Sequence, residues 1–123
     1  MSNPFNNLFN LRVLLRHDEK YGVHVAHCIE TGSVVTSESP ESACDMIREL
    51  LEDEILFALK QKNLRNLFSS PAPLDVLVQW INAVQSKDPN VFFLDINFKE
   101  VELNAIEPKN FSLRNKLEIA QAA

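Results

Sequence analysis

The sequence predicts an α+β domain: a three-stranded antiparallel meander packed by a long helix, βββαβ-like in order, with an extra C-terminal helix and strand. Three observations predict it. Two apolar/polar alternations and a short β-branched run occupy residues 11–37, joined by connections too short for crossovers. A sharply capped helix start, Ser39-Pro40-Glu41, comes directly after them. Farther on, a second helical stripe gives way to a run in which Phe alternates with polar residues.

Residues 1–10 are Asn-rich and polar apart from Phe5, Leu8 and Phe9, and are expected to form a flexible N-terminal arm. From Leu11 to His17, Leu11, Val13 and Leu15 face one way and Arg12 and Arg16 the other, the period of a half-buried strand. Leu14 breaks the alternation and predicts that the outer face is partly covered too. Asp18 to Gly22 is a polar hairpin loop. In the second strand, Val23 to Ile29, His24, Ala26 and Cys28 share one face and Val23, Val25, His27 and Ile29 the other. Thr31-Gly32 marks a turn, and Ser33 to Ser37 is a short β-branched third strand.

Ser39 can cap the long helix. Pro40 occupies its first turn, where a missing N–H costs nothing, and Glu41 complements the helix dipole. Ala43, Met46, Ile47, Leu50 and Leu51 recur at helical spacing, and the helix is expected to end near Gln61 to Leu64. Leu67 to Pro73 is a loop with two prolines. A second helix is predicted from Leu74 to Gln85, with Leu74, Leu77, Val78, Ile81 and Val84 on one stripe. Val91 to Leu103 is expected to be a fourth strand of the same sheet, and Ser112 to Gln121 a short terminal helix. The expected organisation is an arm over residues 1–10, one domain over 11–103 and a tail over 104–123.

Composition restricts function. A chain of 123 residues buries roughly two-thirds of the surface its unfolded form exposes, so it supports a core of its own. Its net charge is −5, and it has no basic run, which opposes binding to a phosphate backbone and fits a basic partner better. Two cysteines, Cys28 and Cys44, make no disulfide framework. No apolar run approaches the roughly 18 residues of a membrane span. The segment MSNPFNNLFNLR lacks the features of a secretory signal, and a cytoplasmic protein with reduced thiols is expected.

Residues that could carry chemistry do not converge. His24 and His27 point to opposite faces of a strand, and His24 and Cys28 share a face about 13 Å apart at roughly 3.3 Å per residue. One zinc ion needs every ligand within about 2.3 Å, so no metal is expected even when His17 and Cys44 are considered. Cys44 lies early in a helix, where the dipole can lower a thiol pKa, but no oxyanion hole is recognisable and core packing is the simpler role. The cluster Glu49, Glu52, Asp53 and Glu54 lacks a calcium loop or a Glu-x-x-His pair and reads as a solvated helix face, or as an acidic patch for a basic protein. Val91-Phe92-Phe93 reads as core rather than as a base-stacking platform. No catalytic residue and no cofactor is expected.

The order Val25-Ala26-His27-Cys28-Ile29-Glu30, then Val34-Val35-Thr36, then Ser39-Pro40-Glu41 with Ala43, resembles the HicB-like family of antitoxin-type proteins. Asn66 to Pro73 is similar to the segment after the helix in such chains, and the resemblance spans roughly residues 11–73. It implies a βββαβ sheet-and-helix unit related in shape to a degraded ribonuclease H or partial double-stranded RNA-binding fold. It also implies a non-enzymatic role, in which the domain binds and masks a small basic RNA-cleaving toxin. Two features depart from the family: Ser37-Glu38-Ser39 stands where a Gly-containing turn is usual, and residues 74–123 resemble neither of the family's DNA-binding modules. Operator binding is therefore not implied.

Taken with that resemblance, the residues read as a protein-binding domain, assembled as a homo-oligomer, that docks its partner through Glu30, Glu38, Glu41, Glu49 and Asp53. Two rivals are a metal-dependent hydrolase or nuclease relic that needs Glu49 or Asp53, and a weak RNA-binding protein that uses Arg12, Arg16, Lys60, Lys62 and Arg65.

Overall fold

The computed structural model describes residues 10–96 and 115–122. Its elements run β1 (Leu11–Asp18), β2 (Val23–Cys28), β3 (Val34–Ser37), α1 (Pro40–Lys60), α2 (Leu64–Leu67), α3 (Leu74–Val84), β4 (Val91–Ile96) and β5 (Asn115–Gln121). The chain is α+β. Among the described residues, five strands form one mixed sheet in the order β3-β2-β1-β5-β4. The expected meander is present: β1 pairs antiparallel with β2, placing Leu15 opposite Ala26, and β2 pairs antiparallel with β3, placing Ala26 opposite Val35.

Local chemistry sets both meander turns. Asp18 accepts from the backbone N–H groups of Lys20 and Tyr21 at 3.1 and 3.4 Å, an Asx turn that Gly22 completes at φ 64°. The β2–β3 turn closes through Gly32 N–H donating to the Cys28 carbonyl at 3.0 Å, with Gly32 at φ 77°. Ser39 caps α1 as expected, its hydroxyl accepting from the Ser42 N–H at 3.1 Å.

The C-terminal segment corrects the sequence reading. Residues 115–121, expected to end a helix, form β5, which lies parallel to β1 and antiparallel to β4. β5 is therefore central to the sheet, not an appendage, and it separates β4 from the meander. Leu117 and Ile119 are fully buried on one face and Ala120 on the other. Leu, Glu, Lys, Ala and Gln favour helix locally, and burial between two strands overrides that preference. Of the fourth strand expected over Val91 to Leu103, Val91–Ile96 is observed, while residues 97–103, the arm over 1–9 and residues 112–114 lie outside the described residues.

Helices cover both faces. On one, α1 buries Ala43, Cys44, Ile47, Leu51 and Ile55 against Leu11, Val13, Leu15, Ala26, Cys28, Leu117 and Ile119. On the other, α3 packs Val76, Trp80 and Ala83 against Leu14, Ile29 and Ala120, so the covering of the outer face predicted by Leu14 is observed. The α3 stripe itself is corrected. Leu77 and Val84 are partly buried, but Leu74, Val78 and Ile81 face outward at 73%, 46% and 37% exposure. This helix is apolar nearly all round, so periodicity admits two faces; the large Trp80 ring settles which one packs, lying over Arg12 of β1 at 5.0 Å. No helix among the described residues is long and apolar enough to cross a membrane.

Candidate functional site

The solvent face of α1 carries a run of exposed carboxylates. With Ala43, Ile47, Leu51 and Ile55 turned to the sheet, residues half a turn away must face water. Glu41, Asp45, Glu49 and Asp53 succeed one another at four-residue spacing and all are exposed, which makes them neighbours along a single ridge. Glu38, exposed between β3 and α1, extends that charge beyond the helix start. Among the described residues, the side chains of Glu38, Glu41, Glu49 and Asp53 make no hydrogen bond or ion pair. Asp45 meets Arg48 at 3.3 Å in a surface pair, which contributes little. Asp45 was missed in the sequence, although its spacing from Glu41 and Glu49 carried the signal.

Glu30, expected in the same docking set, is elsewhere. It sits after β2 on the α3 side, where one carboxylate oxygen accepts from the Arg12 backbone N–H at 2.6 Å and the other from Arg12 Nε at 2.5 Å. The Arg12 guanidinium is thus held between Glu30 and the Trp80 ring.

The expected acidic cluster on the middle of α1 also divides. Glu49 and Asp53 face outward, and Glu52 is half-buried. Glu54 turns toward the β2–β3 turn, where its carboxylate accepts from Ser33 Oγ at 2.8 and 2.9 Å. Thr31 Oγ1 donates to Ser33 Oγ at 2.8 Å, so a hydroxyl relay ties the turn to the helix. Among the described residues, no group of three or more His, Cys, Asp or Glu side chains could hold a metal ion.

The histidines and cysteines are likewise dispersed. His17 and His24 face each other across β1 and β2, with ring centroids 4.6 Å apart. His27 points to the opposite face of the sheet. Its pKa is lowered, first by burial and then by the charge of Arg16, while Asp75 opposes the shift. Burial raises the Cys28 thiol to about 11. Cys44 is also raised, by burial first and then by Asp45 and Glu41. A thiol shifted upward is mostly protonated at neutral pH and is a poor nucleophile.

The basic residues of the RNA-binding rival do not form one strip. Arg12 is tied to Glu30 on the α3 side, whereas Lys60 ends α1, Lys62 lies in the turn after it and Arg65 is in α2.

Two clefts flank α1. The larger, about 570 Å³, lies between the end of α1, α2 and the 69–70 loop; its carboxylate, Glu54, is engaged by Ser33, and its Asn63 caps α2. The smaller, about 410 Å³, lies beside the first turns of α1 and opens between Cys44 and the β4 residues Phe92 and Leu94. No protein-family model, curated protein or solved structure matches this chain.

Proposed function

We propose that this chain is a non-enzymatic, cytoplasmic protein-binding domain of HicB-like type that masks a small basic RNA-cleaving protein. The observation that carries the reading is the α1 ridge. Glu41, Glu49 and Asp53 are exposed and without a partner among the described residues, and Asp45 continues them into one acidic stripe. Such a stripe attracts a basic surface, speeds encounter and rejects acidic partners. Glu38 extends the stripe, whereas Glu30 supports the fold instead of docking. The βββα order, with two further strands in the same sheet, is compatible with the family resemblance.

Self-assembly belongs to the same reading. Among the described residues, β3 is bonded only to β2, and its Val34 is half exposed. An open edge of this kind can extend the sheet across a two-fold axis.

The test is purification of the tagged chain from its own host at low and high salt. The proposal expects a stoichiometric small basic protein that is released by salt, that cleaves RNA when free and that stops doing so when the chain is added back. Substituting Lys at Glu41, Glu49 and Asp53 together should abolish the association. Recovery of the chain alone under both conditions would refute masking.

A further inference from the structure

We infer that the groove between the first turns of α1 and strand β4 is the anchor point for a partner segment carrying apolar side chains flanked by Lys or Arg. The inference rests on the masking proposal for the charge of its occupant and adds where, and by what second interaction, that occupant is held.

The groove is a consequence of how the sheet is covered. α1 lies closer to β2 and β3 than to β4, so the same face of the sheet at β4 has less helix above it. Phe92 and Leu94 are left half-buried there, and with Leu15 and Cys44 they form an apolar floor. One end is closed by Asn90, whose amide donates to the Gln121 side chain at 2.6 Å. The volume, about 410 Å³, falls in the range of pockets that hold ligands, roughly 300–1,000 Å³. Partly buried apolar floors of this kind are where binding energy concentrates, since an anchor side chain leaves water there.

Charge identifies the occupant. The helix side of the groove is rimmed by Glu41 and Asp45, and among the described residues neither Lys nor Arg lines it. Arg48 reaches Asp45 only in an exposed pair. The ridge continues from this rim through Glu49 to Asp53. A second copy of the chain, with net charge −5, would bring more negative charge to an acidic rim. A basic segment with apolar anchors matches the floor and the rim together.

The full chain, labelled with ¹⁵N, is titrated with three short synthetic peptides that alternate Lys with Leu, Lys with Ser, and Glu with Leu. The Lys–Leu peptide is expected to shift the amide resonances of Cys44, Phe92, Leu94 and Gln121. The Lys–Ser peptide should bind at least about tenfold more weakly, a difference of about 1.4 kcal/mol, and the Glu–Leu peptide should not bind. The surface variant Glu41→Lys/Asp45→Lys should lose Lys–Leu binding by about tenfold or more while keeping the spectrum of a folded domain. Equal binding of Lys–Ser, no binding of Lys–Leu, or shifts gathered around Phe57 or Ile81 would overturn the inference. So would concentration-dependent shifts of the groove amides without peptide, which would place a second copy there. The two proposals fail separately. Peptide binding in the groove without any masked basic protein refutes masking alone, and a masked protein that leaves the groove amides unmoved refutes the groove alone.

Discussion

Gly32 lies directly beneath the backbone carbonyl oxygen of Ser70, so close that a Cβ on residue 32 would fall on that oxygen. The contact joins the β2–β3 turn to the loop preceding α3, and Ala72 N–H donating to the Ile29 carbonyl at 2.9 Å holds the same two segments together. Gly32 therefore meets two demands at once: its φ of 77° disfavours any side chain, and the space for one is occupied by backbone, which cannot swing aside. Gly32→Ala should destabilise the domain by about 2 kcal/mol or more, the strain of the left-handed conformation plus displacement of the loop. Gly22, at φ 64° with open space around it, separates the two causes. Gly22→Ala should cost only the conformational strain, about 1 kcal/mol. Urea midpoints of the two variants measure the difference, and equal losses would show that the Ser70 contact contributes nothing.

The Arg12–Glu30 pair makes a second prediction, which distinguishes an acidic residue that supports the fold from one proposed to dock a partner. Glu30 stands where a strand partner of Arg12 would stand, accepting its backbone N–H. Glu30→Ala removes that acceptor and should cost about 1 kcal/mol. Glu30→Gln retains a carbonyl oxygen and should cost clearly less. Because Arg12 also lies over the Trp80 ring, Glu30→Ala should alter indole fluorescence in the folded state as well. Glu49→Ala, on the open ridge, should leave both stability and fluorescence unchanged.

A third prediction concerns β5. Ile119 is fully buried between α1 and the sheet, opposite Val13 on one side and Phe92 on the other. Ile119→Ala should destabilise the domain by about 2–5 kcal/mol, the usual range for emptying a tightly packed core position. Removing residues 115–123 would separate β1 from β4 and should leave a chain that does not unfold cooperatively in urea. A truncated chain with an unchanged urea transition would restore the reading of this segment as a tail.

How far the sequence was legible depends on where its patterns had a single solution. Residues 11–60 alternate, turn and cap with signals that agree, and Leu14, the one misfit in its strand, correctly marked a second covered face. β5 was not legible because Leu117 and Ile119 sit among strong helix formers, and only its two neighbouring strands make the extended form favourable. α3 was legible as a helix but not in orientation, since Val76 and Val78 are equally apolar and only Trp80 over Arg12 distinguishes the faces. At the candidate site, Glu49 and Asp53 were legible as part of a solvated helix face, which their exposure matches. That Glu30 and Glu54 turn inward depends on Arg12 and Ser33, partners 18 and 21 residues distant in the chain. No local pattern reports such partners.

The last prediction is a stability profile with two edges, each from a group that burial holds neutral. His27 has its pKa lowered below the ordinary 6.5, chiefly by burial and next by Arg16. The unfolded chain therefore binds this proton more readily than the folded one, and stability is full above pH 6.5 and declines as pH falls through the lowered value. Cys28 is raised from 9.0 to about 11, chiefly by burial. Here the folded chain keeps the proton longer, so stability is full below pH 9.0 and declines as pH rises toward 11. Urea midpoints measured across this range should form a plateau between the two edges. His27→Gln should flatten the acidic edge and leave the alkaline one, and Cys28→Ala should do the reverse, after allowance for the cavity it creates. A companion measurement uses a thiol reagent at neutral pH: Cys28, fully buried, should react only as fast as the domain opens, so its rate should rise with urea in step with unfolding. Rapid modification of Cys28 in the folded protein, or an acidic edge that survives His27→Gln, would show that these groups do not set the profile.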